Sequence, residues 1–82
     1  LAQGEVEYLV LCAREAIVNA YRHGGADTIR LMLLPDKTAV FQDNGIGVRK
    51  GAAGLGTELY ALAKKWSLET SPAGGATLRL SL

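Results

Sequence analysis

The sequence predicts an α+β domain: a two-layer α/β sandwich with helices packed on one face of a mixed, mostly antiparallel sheet. Two observations lead there. Apolar residues recur at helical spacing in two stretches, and four shorter stretches read as strands. The resulting order, α-β-β-α-β-β, has too few helices to cover both faces of a sheet. At 82 residues the chain is one small domain, 1–82, burying roughly 60–65% of its unfolded surface.

The first helix is expected from about Glu5 to His23, ended by Gly24-Gly25. Leu9, Ala13, Ala16, Ile17 and Ala20 form its apolar stripe, while Glu15 and Asn19 share a different face. "DTIRLMLL" (Asp27 to Leu34) follows as a strand, "PDK" as a turn and "TAVFQ" as the returning strand of a hairpin. "DNGIG" ends that strand, and "VRKGAAG" is a loop of small and polar residues. Leu55, Leu59, Leu62, Ala63 and Trp66 then predict a second amphipathic helix. "SLET" is a brief strand, "SPAGG" a turn, and "ATLRLSL" a last strand with Leu78, Leu80 and Leu82 alternating.

Hydrophobic residues at 49% and charged residues at 21% place the chain among folded proteins rather than disordered ones. A net charge of +1, without a basic stripe, argues against a dedicated nucleic-acid or membrane-surface module. Cys12 is the only cysteine, which excludes an internal disulfide and suits a reducing, cytoplasmic setting. No apolar run approaches the roughly 18–20 residues that span a bilayer. The chain opens without Met and close to a helix, so a fragment of a longer protein is expected.

Three places carry chemistry. Asp43-Asn44-Gly45-Ile46-Gly47 follows a strand; as a turn it needs no carboxylate, but as a base-recognition site it does. An Asp there can accept a hydrogen bond from an exocyclic amine such as that of adenine. Gly54-Leu55-Gly56-Thr57 opens the second helix, where bared N–H groups and the helix dipole attract phosphate. No Gly-Lys-Ser/Thr follows, so this is not a P-loop. Near phosphates a Mg²⁺ ion is expected, and one carboxamide oxygen from Asn19 suits its preference for a few oxygen ligands and water. Glu15 could orient or deprotonate a nucleophile, and Arg22 and His23 could meet phosphate charge.

Together "EAIVNAYRH", "DNGIG", "GLGT" and "GGAT" occur in the order of the N box and three glycine boxes of the Bergerat-fold (GHKL-type) ATPases. Gyrase-type topoisomerases, large heat-shock chaperones, MutL repair proteins and sensor histidine kinases make up that superfamily. Within it the chain most resembles the catalytic ATP-binding domain of a bacterial two-component histidine kinase, from about Leu9 to Leu82. The resemblance implies that Asn19 coordinates Mg²⁺, Asp43 holds the adenine amino group, and Thr77 backs up Asp43. It implies that Gly45 and Gly47 let the nucleotide lie against the backbone. Gly54, Leu55, Gly56 and Thr57 would flank the ATP lid and the phosphates. Arg22 takes the place of a phosphate-contacting cation, with His23 beside it, and Glu15 that of the acidic N-box residue.

The implied activity is transfer of the ATP γ-phosphoryl group to a His on a separate dimerisation segment, with a response regulator downstream and a homodimeric parent. The acceptor is not in this chain, because His23, its only His, lies inside the N box, where capping the helix is its simpler role. Only six residues separate Gly47 from Gly54, a very short lid. Ala52 and Thr57 depart from the usual glycine-box pattern, and no separate F box is visible. An anti-sigma factor of the serine-kinase type is the alternative within the same fold, and a scaffold that has lost its nucleotide is a third reading.

Overall fold

A computed structural model of the chain describes residues 1–47 and 57–82. The elements run α1 (Gln3–Gly24), β1 (Ile29–Leu33), β2 (Thr38–Asp43), α2 (Thr57–Tyr60), β3 (Lys65–Thr70) and β4 (Ala76–Ser81). The strands form one sheet in the order β1-β2-β4-β3, and every pairing is antiparallel. The expected element order is therefore observed; among the described residues the sheet is antiparallel rather than mixed.

Helix α1 ends where the glycines put it. Gly25 adopts φ 63°, a left-handed conformation that costs glycine little, and its N–H reaches back to the Ala20 carbonyl. Small residues one turn apart, Cys12, Ala16, Ala20 and Gly24, are the buried positions of α1. Small side chains let the helix lie close to the sheet. Leu9 and Ala13 pack at the margin of the core, but Ile17 is 49% exposed, a correction to the predicted stripe. The contact row instead follows a constant spacing of four, which drifts slowly around the helix and leaves Ile17 beside it.

The β1–β2 hairpin closes through Lys37 N–H to the Leu34 carbonyl at 3.0 Å, with Lys37 itself at φ 67°. Asp36 Oδ1 accepts the Thr38 N–H at 3.1 Å, the local bond for which Asp is favoured in turns. Register places Phe41 opposite both Leu31 and Leu78, and Leu80 opposite both Ala39 and Trp66. These residues share one face of the sheet, because side chains alternate. Phe41, Leu78 and Leu80 join Cys12, Ala16, Ala39 and Tyr60 in the core. Arg30, Gln42, Arg79 and Glu69 fall on the opposite face, as a one-sided sandwich requires.

The second helix needs the larger correction. Its predicted start, Leu55, lies outside the described residues, and its predicted end is wrong. After Tyr60 the chain tightens, with Leu62 N–H to the Leu59 carbonyl and Ala63 N–H to the Tyr60 carbonyl at 3.2 and 3.0 Å. Lys64 N–H then joins the Ser81 carbonyl at 2.9 Å and opens β3. Pairing of Trp66 with Leu80 overrides the helical period, and Leu62, expected on the apolar face, is 75% exposed.

Candidate functional site

Strand β2 delivers Asp43 to the end of the sheet beside the C-terminal turn of α1. Its Oδ1 accepts two backbone N–H groups, from Gly45 at 2.8 Å and from Ala76 at 3.2 Å. The carboxylate therefore ties its own loop to the start of β4. Asn44, next to it, clamps the other side. Its Oδ1 accepts the Asp27 and Thr28 N–H groups, both at 3.1 Å, and its Nδ2 donates to Asp27 Oδ1 at 2.7 Å. The Asn44 and Thr28 hydrogen bonds hold the Asp27 carboxyl below its ordinary value of 3.8. This clamp was not visible in the sequence, where Asn44 reads only as turn chemistry.

Three chain segments cross here at backbone distance. A Cβ on Gly45 would stand 2.9 Å from the Gly24 carbonyl carbon, and the Ile46 N–H donates to the Gly24 carbonyl at 2.9 Å. Gly47 sits at φ 90°, and a Cβ on it would stand 2.7 Å from Thr70 Cγ2. Gly75, at φ 77°, passes directly over the Asp43 carbonyl. These glycines thus have packing reasons to be glycine, independent of any ligand.

Between α1, the end of β2, α2 and β4 lies a small, partly open cavity of about 70 Å³. Asn19, His23, Asp43, Gly47 and Tyr60 are among the residues that border it, with apolar walls from Phe41 and Leu78. Asn19 and Glu15 are both half-buried, and Asn19 Nδ2 points at Glu15 Oε1 at 3.5 Å. The spacing argument for that pair thus corresponds to a real contact beside the cavity. Arg22 and His23 are exposed in the last turn of α1, where the dipole favours cations. Thr57 is half-buried at the start of α2, while Gly54, Leu55 and Gly56 lie outside the described residues. Thr77 is buried, but its hydroxyl bonds the Ser71 hydroxyl; Ala76, one residue earlier, is what reaches Asp43.

Tyr60, which by composition alone reads as a core or subdomain-interface aromatic rather than a stacking platform, also borders the cavity. Only 2% of it is exposed, and its ring packs on Trp66 with centroids 6.0 Å apart and planes at 48°. Burial pushes its hydroxyl up to about 12, opposed by the Asn19 side chain and reinforced by the Glu15 charge. A helical pattern read at Leu59, Leu62, Ala63 and Trp66 hid it; its position next to Leu59 was the available signal. Tyr8 secures the same corner, its hydroxyl donating to the Leu59 and Tyr60 carbonyls at 2.7 and 3.1 Å. Burial holds the Tyr8 hydroxyl well above the usual tyrosine range.

Among the described residues no cluster of three or more His, Cys, Asp or Glu side chains is placed to hold a metal ion. Nor is any described helix long and apolar enough to cross a membrane.

No protein-family profile matches the chain. Over an alignment of 100 positions covering 90% of its length, it is 34% identical to the sensor-type histidine kinase PrrB of Mycobacterium bovis, and equally so to that of Mycobacterium tuberculosis. The chain spans 22% of the length of these relatives. The alignment is longer than the chain, so the relatives carry additional residues within the matched region. The chain is thus a small α+β unit similar to one region of a sensor histidine kinase.

Proposed function

We propose that this chain is a Bergerat-type nucleotide-binding domain, the ATP-binding catalytic part of a two-component sensor histidine kinase. One observation carries the reading. Asn19 on α1 and Asp43 at the end of β2, the two residues whose chemistry suits cation and base, border the same open cavity. Similarity to a sensor histidine kinase over nearly the whole chain supports it independently.

In this reading Asp43 takes the exocyclic amine of adenine, its carboxylate already aimed by the Gly45 and Ala76 N–H groups. Phe41 and Leu78 supply apolar wall for the base. Asn19 presents a carboxamide oxygen toward Mg²⁺, a cation that takes most of its ligands from phosphate and water and so fits a site with few protein donors. Glu15 stands next to Asn19, placed to orient a polar group near the phosphates. Arg22 adds positive charge at the end of α1 with His23 beside it, and contact with the phosphates is assigned to Gly54, Leu55, Gly56 and Thr57. When bound, Mg-ATP supplies the γ-phosphoryl group; the protein's contribution is positioning and charge stabilisation. The acceptor is a His on a dimerisation segment outside this chain, and a response regulator takes the phosphoryl group from it. The site would work in the cytoplasm, where ATP is available. The short stretch between Gly47 and Gly54 is where this reading locates the residues that the relatives carry in excess.

Calorimetric titration with ATP, with and without Mg²⁺, tests the reading against an Asp43→Asn control. Binding that depends on Mg²⁺ and is lost in the variant is expected. Absence of binding at millimolar ATP, or binding that ignores the substitution, refutes it.

A further inference from the structure

The two edges of the sheet are unlike. β3, at one end, has Lys64 just before it and Lys65 and Glu69 within it, charges of the kind that keep an edge strand solvated. β1, at the other end, carries one charge, Arg30, among Ile29, Leu31, Met32 and Leu33. Among the described residues no strand borders β1 on its outer side. Its backbone is nonetheless set to pair there. Leu34 N–H donates to the Thr38 carbonyl and Asn44 N–H to the Thr28 carbonyl, so the even-numbered residues of β1 turn their backbone groups to β2. Ile29, Leu31 and Leu33 therefore direct theirs outward, and their side chains lie on the α1 face of the sheet.

Helix α1 raises a wall beside that edge. Tyr8 reaches the Leu59 and Tyr60 carbonyls, and Tyr60 packs on Trp66, so the Tyr8 side of α1 looks toward β3. At about 100° per residue, Val6, Val10, Ile17 and Tyr21 occupy the opposite flank, toward β1. These four, with Leu31 and Leu33, are 40–73% exposed. Together they make a patch of roughly 500 Å², near the top of the range that a monomer exposes. With the backbone strip of β1 added, the surface approaches the roughly 800 Å² that each partner buries in a standard interface.

Both strips match their own reversal. Leu31 is the centre of β1, so an antiparallel copy sets Leu31 against the partner's Leu31 and Ile29 against the partner's Leu33. Those are the residues with outward N–H and C=O groups, so the pairs exchange hydrogen bonds. Arg30 then faces the partner's Met32 rather than a like charge. α1 runs antiparallel to β1, tied to the hairpin by Lys37–Glu5 at 3.4 Å and to the far end of β2 by the Gly24 carbonyl. Along it Val6, Val10, Ile17 and Tyr21 are spaced by four, seven and four. Reversal therefore turns Val10 toward the partner's Ile17 and Val6 toward the partner's Tyr21, small against large.

We propose that the free edge of β1 and the apolar flank of α1 form a self-association surface, filled by a second copy of this chain whose β1 pairs antiparallel with β1 about a two-fold axis at Leu31. The two sheets join into one, with both helices on the same face. Each copy has one such edge, so assembly stops at two. The inference does not depend on nucleotide binding.

Sedimentation of the chain from about 10 µM to about 1 mM, a range that brackets weak association, should show the mass rising from one copy toward two. At the upper end, residue-resolved amide exchange should slow about 10-fold at Leu31 and Leu33, while Arg30 and Met32, already bonded to β2, change by less than about 2-fold. Leu31→Pro removes an N–H that β2 does not use, at a position where an edge strand tolerates proline, and should hold the chain monomeric. Ile17→Glu leaves β1 untouched, sits at a half-exposed helix position and should do the same; circular dichroism confirms that both variants are folded. Leu62→Glu is the control: it removes a 75% exposed apolar side chain between α2 and β3 and should leave the dimer intact. A wild-type chain that stays monomeric to about 1 mM overturns the inference and leaves the edge to a strand of another polypeptide. A dimer that survives both folded variants, or association that runs past two copies, overturns it as well.

Discussion

Replacing Gly75 with Ala, beside a Gly74→Ala control, separates two costs that glycines usually carry together. Both residues hold positive φ, 93° at Gly74 and 77° at Gly75. Ala in that left-handed region costs about 1–2 kcal/mol at either position. Only Gly75 meets an obstacle. A Cβ on Gly74 finds nothing within 4 Å, whereas one on Gly75 would stand 2.8 Å from the Asp43 carbonyl carbon and closer still to its oxygen. That obstacle is backbone in a paired strand, so it yields only by shifting β2 against β4. Overpacking of this kind adds about 1–3 kcal/mol. The entropy that Ala removes from the unfolded chain is the same for both and cancels in the comparison. In a domain of this size about 1 kcal/mol lowers Tm by roughly 4–8 °C. Gly74→Ala should therefore melt roughly 4–16 °C below wild type, and Gly75→Ala a further 4–24 °C below that. A loss of about 2–5 kcal/mol at Gly75 is a large share of the stability of a small domain. Urea unfolding followed by circular dichroism gives both values. Equal losses at the two positions, or the larger one at Gly74, would refute the steric account of the crossing.

Tyr8→Phe removes the hydroxyl that joins α1 to the Leu59 and Tyr60 carbonyls. A loss of about 1 kcal/mol is expected, roughly 4–8 °C in Tm; an unchanged melting curve would show the clamp to be idle. Asn44→Ala should destabilise in a pH-dependent way. Asp27 is held below its ordinary value of 3.8, so the stability its ionised form contributes is complete above 3.8 and is lost as pH falls through the lower folded value. The gap in urea midpoint between wild type and Asn44→Ala should accordingly narrow from about pH 6 to about pH 2.5. A gap of constant width across that range contradicts the assignment.

Helix α1, the β1–β2 hairpin and β4 were legible because each announces itself locally. Gly24-Gly25 stops the helix, Pro35-Asp36-Lys37 turns the chain, and Leu78 and Leu80 alternate into the core. Trp66 was misread because Leu59, Leu62 and Ala63 lend it a helical period, and the partner that wins it, Leu80, stands far off in sequence. Ile17 was misread for a related reason: an apolar residue beside the contact face carries the same period as one on it. For the site, the Glu15–Asn19 contact follows from spacing of four on a helix, and sequence alone suffices for it. That Asn19 and Asp43 border one cavity depends on how α1 crosses the sheet, which no local pattern encodes. Tyr60 is buried in the core, and that it also borders the cavity with Asn19 appears only once α1 and α2 are placed together.

The backbone crossing at Gly45, Gly47 and Gly75 bears on how variation in this chain is to be interpreted. A mutational scan that selects only for soluble, folded protein should purge substitutions at these three positions almost as strongly as a scan for activity. Depletion there measures architecture, and a descendant that had abandoned its ligand would keep the same glycines. Dividing one scan by the other removes that shared signal. What remains should concentrate at Asn19, where the backbone has no stake in the outcome.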